Sequence, residues 1–257
     1  MSLLKGADLK PHQSYYWLNA NYDDPETFNQ QINEVCDVYA LAPSAHKDGV
    51  HIVSTDEMTG IQALERLHPA LAMEPGKPER PEFEYIRHGT QTLIANFEIA
   101  TGMVITPSVG QTRTEDDFVE HIRRTIQTDP QAQWIFVMDQ LNTHKTEALV
   151  RLVDQECQLN IDLGVKGKSG VLKSLETREA FLRCLTHRVR FVYTPKHASW
   201  LNQVEIWFSI LVRKLLRRAS FTSIGELRKR IPTFIDYFNK TMAKPFKWTY
   251  KGRPLAC

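Results

Sequence analysis

Three acidic residues stand apart by where they fall in the chain. Asp56 closes an apolar β-type run from Val50, and Asp139 closes the most apolar run, Trp134 to Asp139. Glu205 lies about one turn into an amphipathic helical stretch that follows a further β-type run, Val189 to Tyr193. If the first two strands are neighbours, both aspartates share one edge of a sheet and the glutamate can point back toward it. Converging carboxylates disfavour one another's ionisation, and a bound cation relieves that cost. Oxygen ligands suit a hard ion such as Mg²⁺. Two such ions about 4 Å apart can activate an attacking oxygen and stabilise a leaving one in phosphodiester chemistry. Taken singly, each acid reads more simply as a turn former, a cap or a solvated helix residue; only the joint placement argues for a site.

The remaining elements must position these acids. Apolar residues at helical spacing, Phe28, Ile32, Val35, Cys36 and Tyr39, predict a helix over Pro25 to Leu41 after the cap-like Asp23-Asp24-Pro25, read here as a linker helix. The proline-rich stretch Leu71 to Pro81 reads as loop. Three β-rich runs follow, Glu82 to Arg87, Gln91 to Ala100 and Met103 to Val109, broken at His88-Gly89-Thr90 and Thr101-Gly102, which predicts an antiparallel meander. A helix should open at Thr114, where T-E-D-D supplies a cap and an acidic first turn. Further helices are expected over Thr146 to Cys157, Thr177 to Leu185, a long stretch from Leu201 to Leu216, and about Ile224 to Met242. The Trp134 run lacks alternation, so its strand should be buried on both faces. Together these elements predict a mixed α/β sheet with helices on its faces.

Composition narrows the class. A chain of 257 residues with 42% hydrophobic and 24% charged residues fits one large globular domain, or one with a small appendage. Its longest apolar run of note, Trp134 to Met138, has five residues, against roughly 18 for a membrane span, and the start lacks a secretory-type apolar stretch; no membrane association is expected, and a cytoplasmic location is. The four cysteines form no C-x-x-C pair and the nine histidines no H-E-x-x-H, so carboxylates are the expected ligands of any metal. Charge is unevenly spread: residues 1–186 hold 17 Lys+Arg against 27 Asp+Glu, and residues 187–257 hold 15 against 3. A polycationic end suggests a polyanionic partner, although it could also cover the acidic part of its own fold. Gly167-Lys168-Ser169 resembles part of a phosphate-binding loop, but the position five places before Gly167 is Asp162, not glycine, and no buried strand precedes it.

Three segments carry a family resemblance: S-T-D-E-M-T-G-I-Q (Ser54 to Gln62), V-M-D-Q-L-N-T-H (Val137 to His144) and Y-T-P-K-H-A-S-W-L-N-Q-V-E-I-W-F (Tyr193 to Phe208). They resemble the catalytic blocks of DDE transposases in the bacterial insertion-sequence family grouped with Tc/mariner elements, collinearly over about residues 48 to 255. The resemblance implies an RNase H-like fold, a five-stranded mixed sheet preceded by the short linker helix. It implies a catalytic and metal-binding triad at Asp56, Asp139 and Glu205, with Mg²⁺ or Mn²⁺, two ions, as cofactor. It further implies cleavage of double-stranded DNA at transposon ends, strand transfer into target DNA, and a homodimer. Asn142, His144, Lys196, His197, Ser199 and Asn202 match positions that should border the site.

The domain reading is residues 1–47 as a helical remnant without a complete helix-turn-helix domain, and 48–257 as the catalytic domain, with an insertion at about 155–187 and a basic carboxy-terminal part. A separate helix-turn-helix protein or upstream reading-frame product is then a further expected partner, and the protein should associate with the bacterial nucleoid. Arg213, Lys214, Arg217, Arg218, Lys244, Lys247 and Lys251 are the expected DNA-contacting cations, which could equally form a solvated face. Trp200, Trp207 and Trp248 could stack on exposed bases, with core packing favoured for at least two of them. Two rival functions stay open at this point: a non-catalytic DNA-binding remnant, and an RNase H-like nuclease without strand transfer.

Overall fold

The computed structural model of the chain describes residues 25–250. Its elements are α1 (Pro25–Ala45), β1 (Val50–Arg66), β2 (Tyr85–Glu98), β3 (Val104–Gly110), α2 (Glu115–Ile126), β4 (Gln133–Met138), α3 (Glu147–Glu156), α4 (Leu175–Leu182), β5 (Val189–Tyr193), α5 (Gln203–Leu211) and α6 (Ile224–Thr241). The strands form one sheet in the order β3-β2-β1-β4-β5. β1, β2 and β3 pair antiparallel, whereas β4 pairs in parallel with both β1 and β5. This is the mixed five-stranded, RNase H-like sheet with flanking helices that the resemblance implies.

Strand β4 shows why the sheet needs helices on both sides. Its alternate residues Trp134, Phe136 and Met138 enter one core with Phe118 and Ile122 of α2 and Leu149 and Val153 of α3. Ile135 and Val137 enter a second core with residues of α1, α5 and α6. A strand whose successive side chains point to opposite faces, with both faces covered, has to be apolar throughout. The caps fall where the sequence puts them: Thr114 and Asp117 form a reciprocal capping box at α2, and Thr146 caps α3.

Two strand boundaries differ from expectation. β1 does not end at Asp56 but continues to Arg66, because β2 keeps pairing with it as far as Arg66↔Tyr85. The predicted break at His88-Gly89-Thr90 lies inside β2, which absorbs it through the register shift opposite Gln62/Leu64. Glycine at position 89, with φ +122°, relieves the irregularity without ending the strand. The runs Glu82 to Arg87 and Gln91 to Ala100 are thus one strand, so the three expected runs supply two strands, β2 and β3, and β1 completes the antiparallel meander.

The helix read as a linker is packed against the sheet. Ile32, Val35, Tyr39 and Ala42 of α1 belong to the same core as Ile52 and Trp207. The Tyr39 hydroxyl donates to the Leu201 carbonyl at 2.9 Å, so α1 holds the segment that leads into α5. Past Leu211 the long helix widens: residues Val212–Leu216 adopt π pitch, and the Arg217 N–H donates to the Val212 carbonyl at 2.9 Å.

One buried polar group makes the fold sensitive to acid. His121 on α2 is fully buried, with Nδ1 2.8 Å from the Ser108 hydroxyl. Burial first, and then the Arg124 charge, push its pKa from 6.5 down to about 3. Below pH 6.5 the unfolded chain takes up this proton and the native protein does not, so stability falls by about 1.4 kcal/mol per pH unit until about pH 3. Between pH 6.5 and 4.5, denaturant melts of the wild type should therefore lose about 2–3 kcal/mol more than those of His121→Gln. Equal losses in the two proteins would show that His121 is not held neutral.

Candidate active site

The site lies where two strands part. β4 stays paired with β1 only to Ser54↔Val137, while β1 continues on its other side with β2. Asp56 and Asp139 each stand two residues past that last pair. Alternation therefore places Asp56 on the face of Ile52 and Ser54, and Asp139 on the face of Ile135 and Val137, the side covered by α5. Glu205 is the third residue of α5. Asn202, immediately before that helix and wholly buried, ties helix to strand. Its amide nitrogen donates to the Thr55 carbonyl and to Asp56 Oδ2, both at 3.0 Å, and its amide oxygen accepts from the Ser54 hydroxyl. Ser54 in turn accepts the Val204 N–H at 2.8 Å. The start of the glutamate helix is thus bonded to the strand that carries the first aspartate.

The three carboxylates feel one another. Asp56 is 7% exposed; burial first, then the charges of Asp139 and Glu205, push its pKa up to about 7 against the pull of the Glu57 N–H and His144. Glu205, on the exposed rim, is raised by partial burial and by Asp139. Asp139 behaves oppositely. Burial acts to raise it, but His144 outweighs that effect, with Nδ1 2.8 Å from Asp139 Oδ1, and the Leu141 N–H assists, so the group stays below the usual carboxylate range.

His144 is fully buried, yet its bonds to Asp139 and to Glu57 (3.3 Å) overcome the burial and lift its pKa to about 9. It sits in the short turn Asn142–Lys145 after β4, where the Tyr193 hydroxyl donates to its carbonyl at 2.8 Å. Glu57, buried on the opposite face of β1 from Asp56, has no counterpart among the sequence-predicted residues. Strand alternation past Asp56 is the signal that could have found it, and it is visible only if β1 is known to continue.

The other expected site residues fall in several places. Lys196, His197 and Ser199 are exposed on the segment between β5 and α5, His197 with a left-handed φ of +62°, and Asn142 is exposed at the start of its turn. Arg213, Lys214, Arg217 and Arg218 are exposed around the π-pitch turn. A cleft of about 460 Å³ joins Glu205 to two of them, Arg213 and Arg217, along a wall that includes Met58 and Phe208.

Lys244 lies elsewhere. Its backbone packs on Gly102 at the β2–β3 turn, so closely that a Cβ on Gly102 would sit 2.0 Å from the Lys244 carbonyl oxygen, at the sheet edge opposite the carboxylates. Lys247 is exposed on the same tail, and Lys251 lies outside the described residues. Trp207 is fully buried, Trp248 packs on Tyr39 with ring centroids 5.1 Å apart, and Trp200 is half exposed against Tyr250. Among the described residues, the one group of three or more His, Cys, Asp or Glu side chains whose ligand atoms all lie within 4.8 Å of one another is His46, His51 and Glu98. The three carboxylates interact electrostatically, but their oxygens are spread more widely than that.

Asp56 is a buried carboxylate beside two further acids, and its direct hydrogen-bond donors are neutral, so the oxygens available to an ion there are carboxylate oxygens. That donor set fits a hard divalent cation. A family model described as DDE superfamily endonuclease matches residues 51–228. Among solved structures, the chain is similar to the Mos1 mariner paired end complex with Mn, at 14% identity and a TM-score of 0.53, over 91% of this chain and 62% of that one. It is also similar to the Mos1 transposase paired-end complex with left transposon end, at 14% identity and a TM-score of 0.52, over 91% and 61%. At such identity the likeness establishes the fold. The chain spans about three-fifths of the length of those two chains. No curated protein matches.

Proposed function

This chain belongs to the DDE superfamily endonucleases, and on that premise we propose that it is the catalytic part of a Tc/mariner-like transposase, cleaving DNA at transposon ends and joining them to target DNA. Asp56, Asp139 and Glu205 would hold Mg²⁺ or Mn²⁺, two ions, which when bound supply activation of the attacking oxygen and neutralisation of charge on the leaving one. The observation that carries this reading is the placement of Asp56 and Asp139 two residues past the last β1–β4 pair, with the start of the Glu205 helix bonded to β1 there, so that Asp139 and Glu205 act on Asp56 and Asp139 acts on Glu205.

The protein's own groups would do the positioning. His144 keeps Asp139 ionised and fixes its orientation. Asn202 holds Asp56 against the start of α5. Arg213 and Arg217, in the cleft that Glu205 borders, are placed to grip phosphates, a contact that orients the duplex without reading its sequence. Double-stranded DNA, a second copy of the chain and a separate end-recognising helix-turn-helix protein are the proposed partners. No described helix is long and apolar enough to cross a membrane, and association with the nucleoid is proposed.

The test is nicking and strand transfer on a labelled duplex, with Glu205→Gln beside the wild type. The wild type should cut with Mg²⁺ or Mn²⁺, and the variant should be slower by about 10²–10³-fold or more. Cleavage without joining would reduce the reading to a nuclease. DNA binding without cleavage in either protein would reduce it to a DNA-binding remnant.

A further inference from the structure

At the sheet edge opposite the carboxylates, residues from three separate segments converge. His46 lies in the short turn after α1, His51 near the start of β1, and Glu98 at the end of β2. The five residues from His51 to Asp56 put this cluster about 16 Å along the strand from the proposed DNA-cleavage site. Glu98 Oε1 is 2.5 Å from His51 Nδ1 and 3.5 Å from His46 Nδ1.

The outer contacts of these side chains are fixed as well. The far nitrogen of His51, Nε2, faces Asp129 Oδ2 at 3.4 Å. The second oxygen of Glu98 accepts from the Thr101 hydroxyl at 2.6 Å. The His51 ring is stacked on Trp134, centroids 4.3 Å apart and 16° from parallel, which fixes its plane. Metal-binding histidines typically carry such a carboxylate on the nitrogen turned away from the ion, and ligating carboxylates carry such a hydrogen bond. Glu98 is nearly buried, whereas the His46 side chain is 37% exposed, so the cluster opens to solvent on that side.

We propose that His46, His51 and Glu98 form a binding site for a borderline transition-metal ion of the zinc class. Two imidazole nitrogens and one carboxylate oxygen are a set that Zn²⁺ accepts, with a fourth position for water. Ligand bonds of about 2.0–2.2 Å in tetrahedral array put neighbouring ligand atoms roughly 3.3 Å apart. The His46–Glu98 separation is already close to this, and the His51–Glu98 pair has only to open by about 0.8 Å as the ion displaces the proton between them. Mg²⁺, which favours oxygen ligands, is not the expected occupant. The site is independent of the proposed DNA chemistry.

The experiment is calorimetric titration of Zn²⁺ into the full chain carrying Asp56→Asn and Glu205→Gln, so that the carboxylate site contributes little. One equivalent should bind, and Mg²⁺ in excess should not compete. His46→Ala, at the most exposed ligand and the least disruptive to the fold, should weaken Zn²⁺ by about 10²-fold or more, and Asp129→Asn, outside the ligand set, by about 10–100-fold. Absence of a stoichiometric binding step overturns the proposal. So does Zn²⁺ binding that His46→Ala and Glu98→Gln both leave unchanged, which would place the ion elsewhere, for instance on the cysteines.

Discussion

Asp56→Asn is expected to abolish metal-dependent DNA nicking and, in the same preparation, to make the metal-free protein more stable at neutral and alkaline pH. The two effects have one origin. In the folded chain the Asp56 carboxyl is raised from 3.8 to about 7, by burial first and then by Asp139 and Glu205. As pH climbs from about 4, the unfolded chain gives up this proton and the native one holds it. The native state therefore loses about 1.4 kcal/mol per unit until about pH 7, on the order of 4 kcal/mol in all.

Asparagine removes that penalty at a cost. Asp56 accepts from both the Glu57 N–H and the Asn202 amide, and an asparagine has only one oxygen for the two donors. Leaving one buried donor unsatisfied costs about 1–3 kcal/mol. A net gain of about 1–3 kcal/mol at pH 8 in chelator follows, shrinking below about pH 7 and reversing between about pH 6 and 4.5. Adding Mg²⁺ should raise the melting temperature of the wild type and leave the variant unmoved. A variant less stable than the wild type at pH 8 in chelator would mean that the Asp56 charge is already compensated within the protein.

The second large effect is expected at Asn202. It makes three hydrogen bonds between wholly buried or nearly buried groups, to Ser54, to the Thr55 carbonyl and to Asp56, and with the Val204 N–H bond to Ser54 these tie β1 to the start of α5. Asn202→Ala strands those partners without solvent, so denaturant melts should show a loss of about 3–4 kcal/mol. Asn202→Asp should cost at least as much, because it replaces the donor to Asp56 with a further negative charge. A loss under about 1 kcal/mol for the alanine variant would show that Ser54 and Val204 hold the helix unaided.

Which parts of this could be read from the chain depends on how local the cause is. The cap at Thr114, the doubly buried strand at Trp134 and the strand Val189 to Tyr193 are set by neighbouring residues, and the structure has them where the pattern puts them. The end of β1 was not legible, because it is decided by β2, some thirty residues further on, pairing past the point where β4 stops. Asp56, Asp139 and Glu205 could be picked out because each lies next to a strong apolar run. Glu57 and the His46–His51–Glu98 cluster could not. The first needs the strand to continue, and the second needs β1 and β2 in register, with Glu98 opposite Val53, to bring a distant carboxylate beside two histidines that form no ligand spacing of their own.

The widened turn at Val212–Leu216 sets an angular phase. One extra residue per turn shifts everything after it by about 100° relative to a regular helix begun at Gln203. Arg217 and Arg218 thereby face in a direction that the heptad-like spacing of Leu201, Val204, Phe208 and Leu211 alone would not give them. The azimuth of the cationic rim relative to Glu205 is therefore set by a single inserted peptide unit, separately from the apolar stripe that anchors the helix, so one residue fixes where the charges point without any change in the core.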